Sequence, residues 1–154
     1  MVRALNLVKI KVVWIGKTKN AAIQSLTAEY LKRLANYVRI EALAVASETA
    51  LLKVVAKTKP PFALVLLDRG GKQLSSEEFA QVIDRYQNRG PQGMVFAVGP
   101  ADGFTNDARR AASLILSLGK MTLPHELARV VLLEQLYRSF SILKGHPYHL
   151  GHSV

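Results

Sequence analysis

Apolar residues along the chain follow two patterns, and together these predict strands that alternate with helices. Nearly continuous apolar runs bounded by turn residues are typical of buried strands, and apolar residues spaced by three or four are typical of helices. The sequence predicts strands over 5–16, 37–45, 62–68, 93–99 and 113–118. It predicts helices over 20–36, 47–57, 75–88, 105–112 and from Pro124 to about Lys144. This alternation predicts an α/β fold with a largely parallel sheet.

Local signals define several of the boundaries between these elements. Asn20 and Ser47 are residue types that commonly cap a helix N-terminus. Ser75 and Glu78 have the spacing of a capping box. The run Arg69-Gly70-Gly71-Lys72 predicts a turn directly after the third strand, because glycine is the residue most common in turns.

The last predicted helix is apolar around its whole circumference. The run Val130-Val131-Leu132-Leu133 places apolar side chains on every side, and such a helix must be buried on several sides. In a domain of this size the sheet covers one side, so we expect a second copy of the chain to cover another. The sequence therefore predicts a homodimer with this helix at the interface. The alternative is a central helix enclosed within one monomer.

Length and composition predict one cytoplasmic domain over residues 1–154, with Pro60-Pro61 as a loop within it. The chain contains no cysteine, which excludes a disulfide scaffold and a cysteine-based zinc site and fits a reducing cytosol. No apolar run is long enough to cross a membrane. Lys9 and Lys11 interrupt the first apolar stretch, so we expect neither a signal peptide nor a membrane partner.

The net charge of +10 is concentrated in the first third of the chain. Residues 1–59 hold eleven Lys/Arg and three Asp/Glu, a net charge of +8. Residues 60–99 hold four of each sign, and residues 100–154 hold six and four. A basic first third indicates a polyanionic partner, above all a nucleic acid. The alternative is a basic, solvated surface with no such partner.

Three glycine-containing loops follow predicted strands, at 67–71, 98–103 and 118–124. Ligands of open α/β sheets bind at the carboxyl ends of the strands, and glycine lets the backbone approach a ligand closely. Glycine and proline after a strand also fit ordinary turns. The chain has no GxGxxG and no GxxxxGK[ST] motif, so it predicts neither a Rossmann dinucleotide site nor a P-loop.

All four histidines lie in the C-terminal part of the chain, at His125, His146, His149 and His152. Histidine has the side-chain pKa nearest neutrality, so their concentration in one segment indicates a functional tail. No two of them share a helix face and no acidic cluster joins them, so no metal site is predicted. The absence of a Gly-x-Ser-x-Gly motif and of cysteine argues against nucleophilic hydrolysis.

Three side chains near this tail have both a structural and a functional interpretation. Arg138 stands four residues after Glu134, either as a helix-surface ion pair or as a contact to a phosphate or base. Tyr148 either stacks on a base or attaches the tail to the core. His125 is either a packing residue of the first helical turn or a site residue.

Several motifs occur in a fixed order along the chain. They are Leu66-Leu67-Asp68-x-x-Gly71-Lys72, Val98-Gly99-Pro100-x-x-Gly103, Leu123-Pro124-His125 with Arg129, Glu134-Gln-Leu-Tyr-Arg138 and His146-Pro-Tyr-His149. This series resembles the RlmH (YbeA-type) family of SPOUT methyltransferases over essentially the whole chain. The combination LPH…EQLYR…HPYH is its most specific part.

The resemblance implies a fold and a reaction. The fold is a single compact α/β domain with a mostly parallel sheet, helices on both faces and a C-terminal trefoil knot, an exception to the usual absence of knots. The enzyme is a homodimer that holds S-adenosyl-L-methionine in the knot loops. It methylates N3 of a pseudouridine in large-subunit ribosomal RNA, in a hairpin near the decoding region, and acts on assembled ribosomes.

The resemblance also assigns residues to this reaction. The implied cofactor-binding positions are Leu67, Gly99, Gly119, Lys120, Met121, Thr122, Leu123 and Pro124. The implied catalytic positions are Arg138, His146, Tyr148 and His149, and the implied substrate-binding positions are His125 and Arg129. We interpret Arg138 and a tail histidine as holding or deprotonating the N3 edge, with Tyr148 positioning the base. A methyl sulfonium is already activated, so positioning supplies much of the catalysis.

The chain departs from the family pattern at its end, where Leu150 follows HPYH although relatives often have a basic residue there. His152 or the basic first third must then provide any RNA contact made by that residue. Two alternatives to the ribosomal enzyme stay open. One is a SPOUT enzyme that modifies a ribose or guanine of tRNA, and the other is a non-catalytic basic RNA-binding module.

Overall fold

The core of the protein is a five-stranded parallel sheet. The structure is a computed structural model that describes residues 9–58, 62–88, 93–100 and 102–148. Its strands are β1 (Lys9–Ile15), β2 (Arg39–Val45), β3 (Ala63–Gln73), β4 (Met94–Val98) and β5 (Leu114–Ser117). They lie in the order β2-β1-β4-β3-β5, and each neighbouring pair is parallel. The prediction of an α/β fold with a parallel sheet is confirmed.

Helices cover both faces of this sheet. They are α1 (Ala21–Leu34), α2 (Glu48–Ala56), α3 (Ser76–Asn88), α4 (Asn106–Ala111) and α5 (His125–Leu143). Successive strand residues point to opposite faces, and the two faces bury separate clusters. Met94 and Phe96 pack with α1, α3 and α5, whereas Val95 and Ala97 pack with α2 and α4.

The predicted helix caps are present. The Asn20 side chain accepts hydrogen bonds from the first backbone amides of α1, and Ser47 accepts one from Ala50. Ser75 and Glu78 bond reciprocally, each side chain accepting from the other residue's backbone N–H. These bonds satisfy amides that a helix leaves without intrahelical partners, which explains why local sequence located the helix starts so closely.

The predicted turn at 69–72 is wrong, because β3 continues through these residues to Gln73. The pairing of β3 with β5 shifts in register there, so that Leu67 and Lys72 both oppose Leu116. A Cβ atom on Gly71 would lie 2.6 Å from the carbonyl oxygen of Ile115. The glycine is therefore required by the close approach of two strands, and the extra residues form an irregularity within the sheet.

Helix α5 lies between α1 and α3 on one face of the sheet. Leu132, Leu136 and Phe140 are buried in the same cluster as residues of α1 and α3. Ser76 of α3 also bonds to Gln135 at 2.6 Å. The premise that only a second chain could cover the far sides of α5 is therefore wrong, because two helices of the same chain do so. The homodimer itself stays a prediction.

Some predicted features lie outside the described residues, namely the first part of the 5–16 strand and the Pro60-Pro61 loop. Among the helices that the structure describes, none has the length and apolar character needed to cross a bilayer.

Candidate functional site

A cavity of about 840 Å³ lies between the irregular middle part of β3 and the carboxyl ends of β4 and β5. Its volume is within the range of about 300–1,000 Å³ that is usual for small-molecule sites. A segment of β3, the loops after β4 and β5, and the first turn of α5 form it. Its lining residues are Leu67–Gly70, Val98–Pro100, Asp102–Phe104, Leu118, Gly119, Met121–His125 and Ala128. The three glycine-containing segments predicted as loops therefore do meet around one space, although residues 67–71 belong to strand β3.

Most of the predicted cofactor positions line this cavity. Leu67, Gly99, Gly119 and the segment Met121–Pro124 all contribute to its wall. His125, predicted to bind substrate, lines it as well. Lys120 is exposed and is not part of the lining. The structure thus brings these positions together around one space, and the identity of what they bind stays a prediction.

Two glycines shape the wall of the cavity. A Cβ atom on Gly99 would lie 2.6 Å from a carbon of the Phe104 ring, closer than atoms can pack. Gly119 has φ +139°, a conformation that L side chains rarely adopt. The hydroxyl of Ser117 holds this turn, because it donates to the Gly119 carbonyl and accepts from the Gly119 N–H. Backbone groups therefore face the cavity where side chains would otherwise fill it.

An ion pair joins strand β3, in the cavity wall, to helix α4. The Asp68 carboxylate accepts a hydrogen bond from the Arg109 guanidinium at 2.8 Å and another from the backbone N–H of Gly70 at 2.9 Å. Asp68 follows the buried part of β3, and Arg109 lies on α4. Sequence reasoning did not identify Arg109, because its partner is distant along the chain and no local pattern marks the pair.

Arg129 is buried beside the cavity and is not part of its lining. Its guanidinium carbon lies 3.7 Å from the centre of the Trp14 ring, and Nη1 donates to the Thr18 hydroxyl at 2.7 Å. Burial lowers the pKa of Arg129, partly offset by the nearby Glu126 carboxylate. The cation–π contact compensates part of the lost hydration. The structure shows Arg129 joining α5 to the loop after β1, and its substrate contact stays a prediction.

Arg138 and Tyr148 share one carboxylate near the end of α5. Glu134 Oε2 accepts from Arg138 Nη2 at 2.7 Å and from the Tyr148 hydroxyl at 3.1 Å. The predicted pair of Glu134 and Arg138 is confirmed, and both side chains are about one-fifth exposed, at 20% and 18%. The Arg138 guanidinium carbon also lies 5.3 Å from the centre of the Tyr148 ring.

The protonation states of these two groups limit their chemistry. The hydrogen bond to Glu134 raises the pKa of Arg138 above its already high ordinary value. Burial, followed by a hydrogen bond to Tyr30, raises the pKa of Tyr148 strongly. Both groups therefore keep their protons at neutral pH, and neither can act there as a general base.

His146 is exposed, and its Nδ1 forms a hydrogen bond with the Tyr37 hydroxyl. The two rings are 5.5 Å apart between centres. Tyr148 packs edge-on against Tyr137 at 4.8 Å, so aromatic contacts attach the described part of the tail to α5 and to the turn that follows α1. His149 lies outside the described residues.

The tail cluster and the cavity are at opposite ends of α5. Ala128 lines the cavity, whereas Arg138 contacts the tail. At a rise of about 1.5 Å per residue, these positions are about 15 Å apart along the helix axis. Within one chain the structure therefore does not bring the predicted catalytic residues to the predicted cofactor loops. Among the described residues there is also no group of three side chains able to hold a metal ion.

The chain is similar to known methyltransferases along almost its whole length. Residues 8–149 match the family described as "Predicted SPOUT methyltransferase". The chain is 56% identical over 147 residues to "Ribosomal RNA large subunit methyltransferase H" of Koribacter versatilis (strain Ellin345), covering 94% of this chain and 99% of that protein. A protein of the same name from Gloeobacter violaceus (strain ATCC 29082 / PCC 7421) is 43% identical over 153 residues, covering 93% and 99%.

The fold also resembles a solved structure. This is the SpoU methyltransferase AviRb from Streptomyces viridochromogenes, in complex with the cofactor AdoMet. The TM-score is 0.51 at 12% sequence identity, and the match covers 86% of this chain and 57% of the longer AviRb chain. At this identity the likeness shows a common fold.

Proposed function

Because the chain belongs to the SPOUT methyltransferases, and among them to the ribosomal RNA large subunit methyltransferase H family, we propose that it transfers a methyl group from S-adenosyl-L-methionine to large-subunit ribosomal RNA. The observation that carries this proposal is the cavity formed by β3 and by the loops after β4 and β5. Seven of the eight positions implied for the cofactor line it.

The residues of the cavity fit this cofactor. Gly99 and Gly119 leave backbone groups facing the cavity, and such groups can pair with the edge of an adenine. Leu67 and Leu123 supply apolar surface for the flat faces of the ring. When bound there, the cofactor supplies an activated methyl group, so the protein has mainly to orient the acceptor.

We further propose that the acceptor is N3 of a pseudouridine in a hairpin near the decoding region, within the assembled ribosome. The order of the LPH, EQLYR and HPYH motifs supports this choice over a ribose or guanine of tRNA. In the reaction, the N3–H bond breaks and a proton leaves. A bond forms between N3 and the methyl carbon while the carbon–sulfur bond breaks, which leaves a neutral thioether.

The protonation states of the tail residues support a division of roles. Arg138 stays cationic and can hold an oxygen of the base as negative charge develops at its edge. Tyr148 stays neutral and can stack on the base or donate a hydrogen bond. The proton from N3 then goes to a tail histidine, His146 or His149, or to water.

We propose a homodimer in which the tail of one protomer completes the cavity of its partner. The separation of about 15 Å between cavity and Arg138 along α5 supports an arrangement in trans. Two apolar side chains near the start of α5 are unusually exposed, Met121 at 87% and Leu127 at 40%, and a partner chain can cover them. The trefoil knot and a cytoplasmic location belong to the same proposal.

The substrate can be tested with purified protein, labelled S-adenosyl-L-methionine and ribosomes that lack the modification. After digestion of the RNA, we expect label in N3-methylpseudouridine of the large subunit. Label in another nucleoside would keep the methyltransferase and contradict the acceptor. Cofactor binding distinguishes an enzyme from a non-catalytic RNA-binding module, which has no use for such a cavity.

We expect Gly99→Val to weaken S-adenosyl-L-methionine binding at least about tenfold. The new side chain overlaps the Phe104 ring, which is itself part of the cavity wall, so the wall has to shift where the cofactor is expected to bind. Forcing extra atoms into a packed site typically costs about 1–3 kcal/mol of stability. Isothermal titration calorimetry measures the change. Gly145→Val is the matched control, because Gly145 has φ +71° but lies beyond the end of α5. Gly145→Val should lower the stability of the protein and leave its affinity for the cofactor unchanged. If Gly99→Val also left this affinity unchanged, the cofactor would bind elsewhere.

A further inference from the structure

The loop between β1 and α1, residues 16–20, presents two exposed lysines. Lys17 and Lys19 are exposed, and neither forms a hydrogen bond or ion pair through its side chain within the described part of the chain. Three other basic residues of the first third are paired, because Lys9 and Lys11 contact Glu41 and Arg33 contacts Glu29. No carboxylate of the described residues therefore neutralises the positive charge of this loop.

The backbone of the same loop is firmly held. Gly16 donates its N–H to the Val45 carbonyl at 3.0 Å, and the Thr18 carbonyl accepts from the Gln24 side chain at 3.3 Å. Asn20 caps α1. The lysine ammonium groups thus extend into solvent from a loop whose backbone has defined hydrogen-bond partners.

Two contacts attach this loop to the start of α5. The Thr18 hydroxyl accepts from Arg129, and the Lys19 backbone N–H donates to Glu126 Oε1 at 3.2 Å. Both partners lie on the first turns of α5, next to His125 and Ala128 in the cavity wall. The two lysines therefore lie beside the cavity without lining it.

Further positive charge surrounds the same opening. Arg69 lines the cavity and donates to the Thr122 hydroxyl, and Lys120 is exposed on the β5–α5 loop. Carboxylates also lie in this region, among them Glu48, which accepts from the Thr105 N–H and hydroxyl. Asp68 is paired with Arg109, Glu126 accepts the Lys19 N–H, and Asp102 is exposed in the lining. Positive charge exceeds negative charge at this edge of the sheet.

We propose that Lys17 and Lys19 are contacts for the phosphate backbone of the RNA substrate. This inference rests on the proposed function and adds an interaction surface to it. Exposed, unpaired cations on a fixed loop can neutralise phosphates, and such contacts set the position of a nucleic acid without reading its sequence. Placed beside the cavity, they hold the backbone of the strand while a single base enters.

RNA binding and cofactor binding should depend on different residues. Lys17 and Lys19 do not line the cavity, so their loss should leave S-adenosyl-L-methionine affinity unchanged. Each lost phosphate contact should weaken RNA binding and flatten its dependence on salt, by about 0.7–0.9 in the logarithmic slope per contact.

The test is the double variant Lys17→Gln/Lys19→Gln, with Lys53→Gln/Lys57→Gln as control. The control removes the same charge from exposed positions of α2 and its C-cap, on the opposite face of the sheet. Three quantities are measured: cofactor affinity by calorimetry, equilibrium binding to purified ribosomes at several salt concentrations, and methyl transfer against ribosome concentration. We expect the first variant to bind ribosomes about tenfold more weakly with a flatter salt slope and an unchanged kcat, and the control to change binding less than about twofold.

Three outcomes would overturn the phosphate contact. Equal weakening in both variants would show an effect of total charge, unchanged ribosome binding would show no contact, and a loss of cofactor affinity would show a role in the cavity. None of these outcomes contradicts the proposed function. That function would be contradicted by a separate result, the absence of methyl transfer by the wild-type protein. Ribosome binding is measured without turnover, so it tests the lysines even in that case.

Discussion

Arg138→Ala is expected to lower methyl transfer about 100-fold or more and to leave affinity for S-adenosyl-L-methionine within about threefold of the wild-type value. Removal of one charged donor that stabilises developing charge typically has an effect of this size. Arg138 is far from the cavity of its own chain and contacts Glu134 and Tyr148, so we expect it to act on the base. Single-turnover methylation of ribosomes at saturating cofactor measures the rate.

Two further variants control this result. Arg138→Lys keeps the positive charge but loses the planar, two-point geometry of the guanidinium, so we expect a rate between those of wild type and alanine. Arg110→Ala removes an exposed arginine that pairs with Asp107 on α4, and it should retain full activity. Full activity of a folded Arg138→Ala protein would exclude this residue from the mechanism.

A mixture of two defective proteins is expected to recover about a quarter of the wild-type rate, at a cofactor concentration too low to fill the cavity of the weaker-binding variant. One variant is Gly99→Val, with an obstructed cavity and an intact tail, and the other is Arg138→Ala, with an intact cavity and a defective tail. Random exchange at equal amounts makes half of the dimers mixed, and each mixed dimer has one complete site if the tail acts on the partner's cavity. If the tail serves its own cavity, mixed dimers have no complete site.

The experiment requires that subunits exchange, which two different affinity tags can verify by sequential purification. The purified mixed dimer should then have about half of the wild-type rate, since one of its two sites is complete. A mixed dimer without activity would assign the tail to its own chain. A protein that sediments as a monomer at all concentrations and still transfers methyl groups would contradict the homodimer directly.

Local chemistry made much of this fold predictable. Caps such as Asn20 and the Ser75–Glu78 box act over three residues, so the sequence alone contains the interaction that begins each helix. The cavity was predictable for a different reason. Parallel strands all end at one edge, so loops far apart in sequence must meet there.

The sequence did not predict those features in which the role of a residue depends on a partner distant along the chain. Gly71 looks the same in a turn and in a strand that approaches β5 closely, and only the position of Ile115 distinguishes the two. The contact between Arg129 and Trp14 cannot be read from either segment alone, since each side chain is ordinary in its own helix or strand. The pairing of Arg109 with Asp68 has the same origin.

The length of helix α5 fixes the distance between the cavity wall and the residues that contact the tail. Its first turn forms part of the cavity wall, and its last turns carry Arg138 and the contacts to the tail. One inserted or deleted residue between them would rotate the tail cluster by about 100° and shift it by about 1.5 Å relative to the cavity. Relatives can therefore vary in length in their surface loops, but the number of residues from His125 to Arg138 should be constant wherever the reaction is retained.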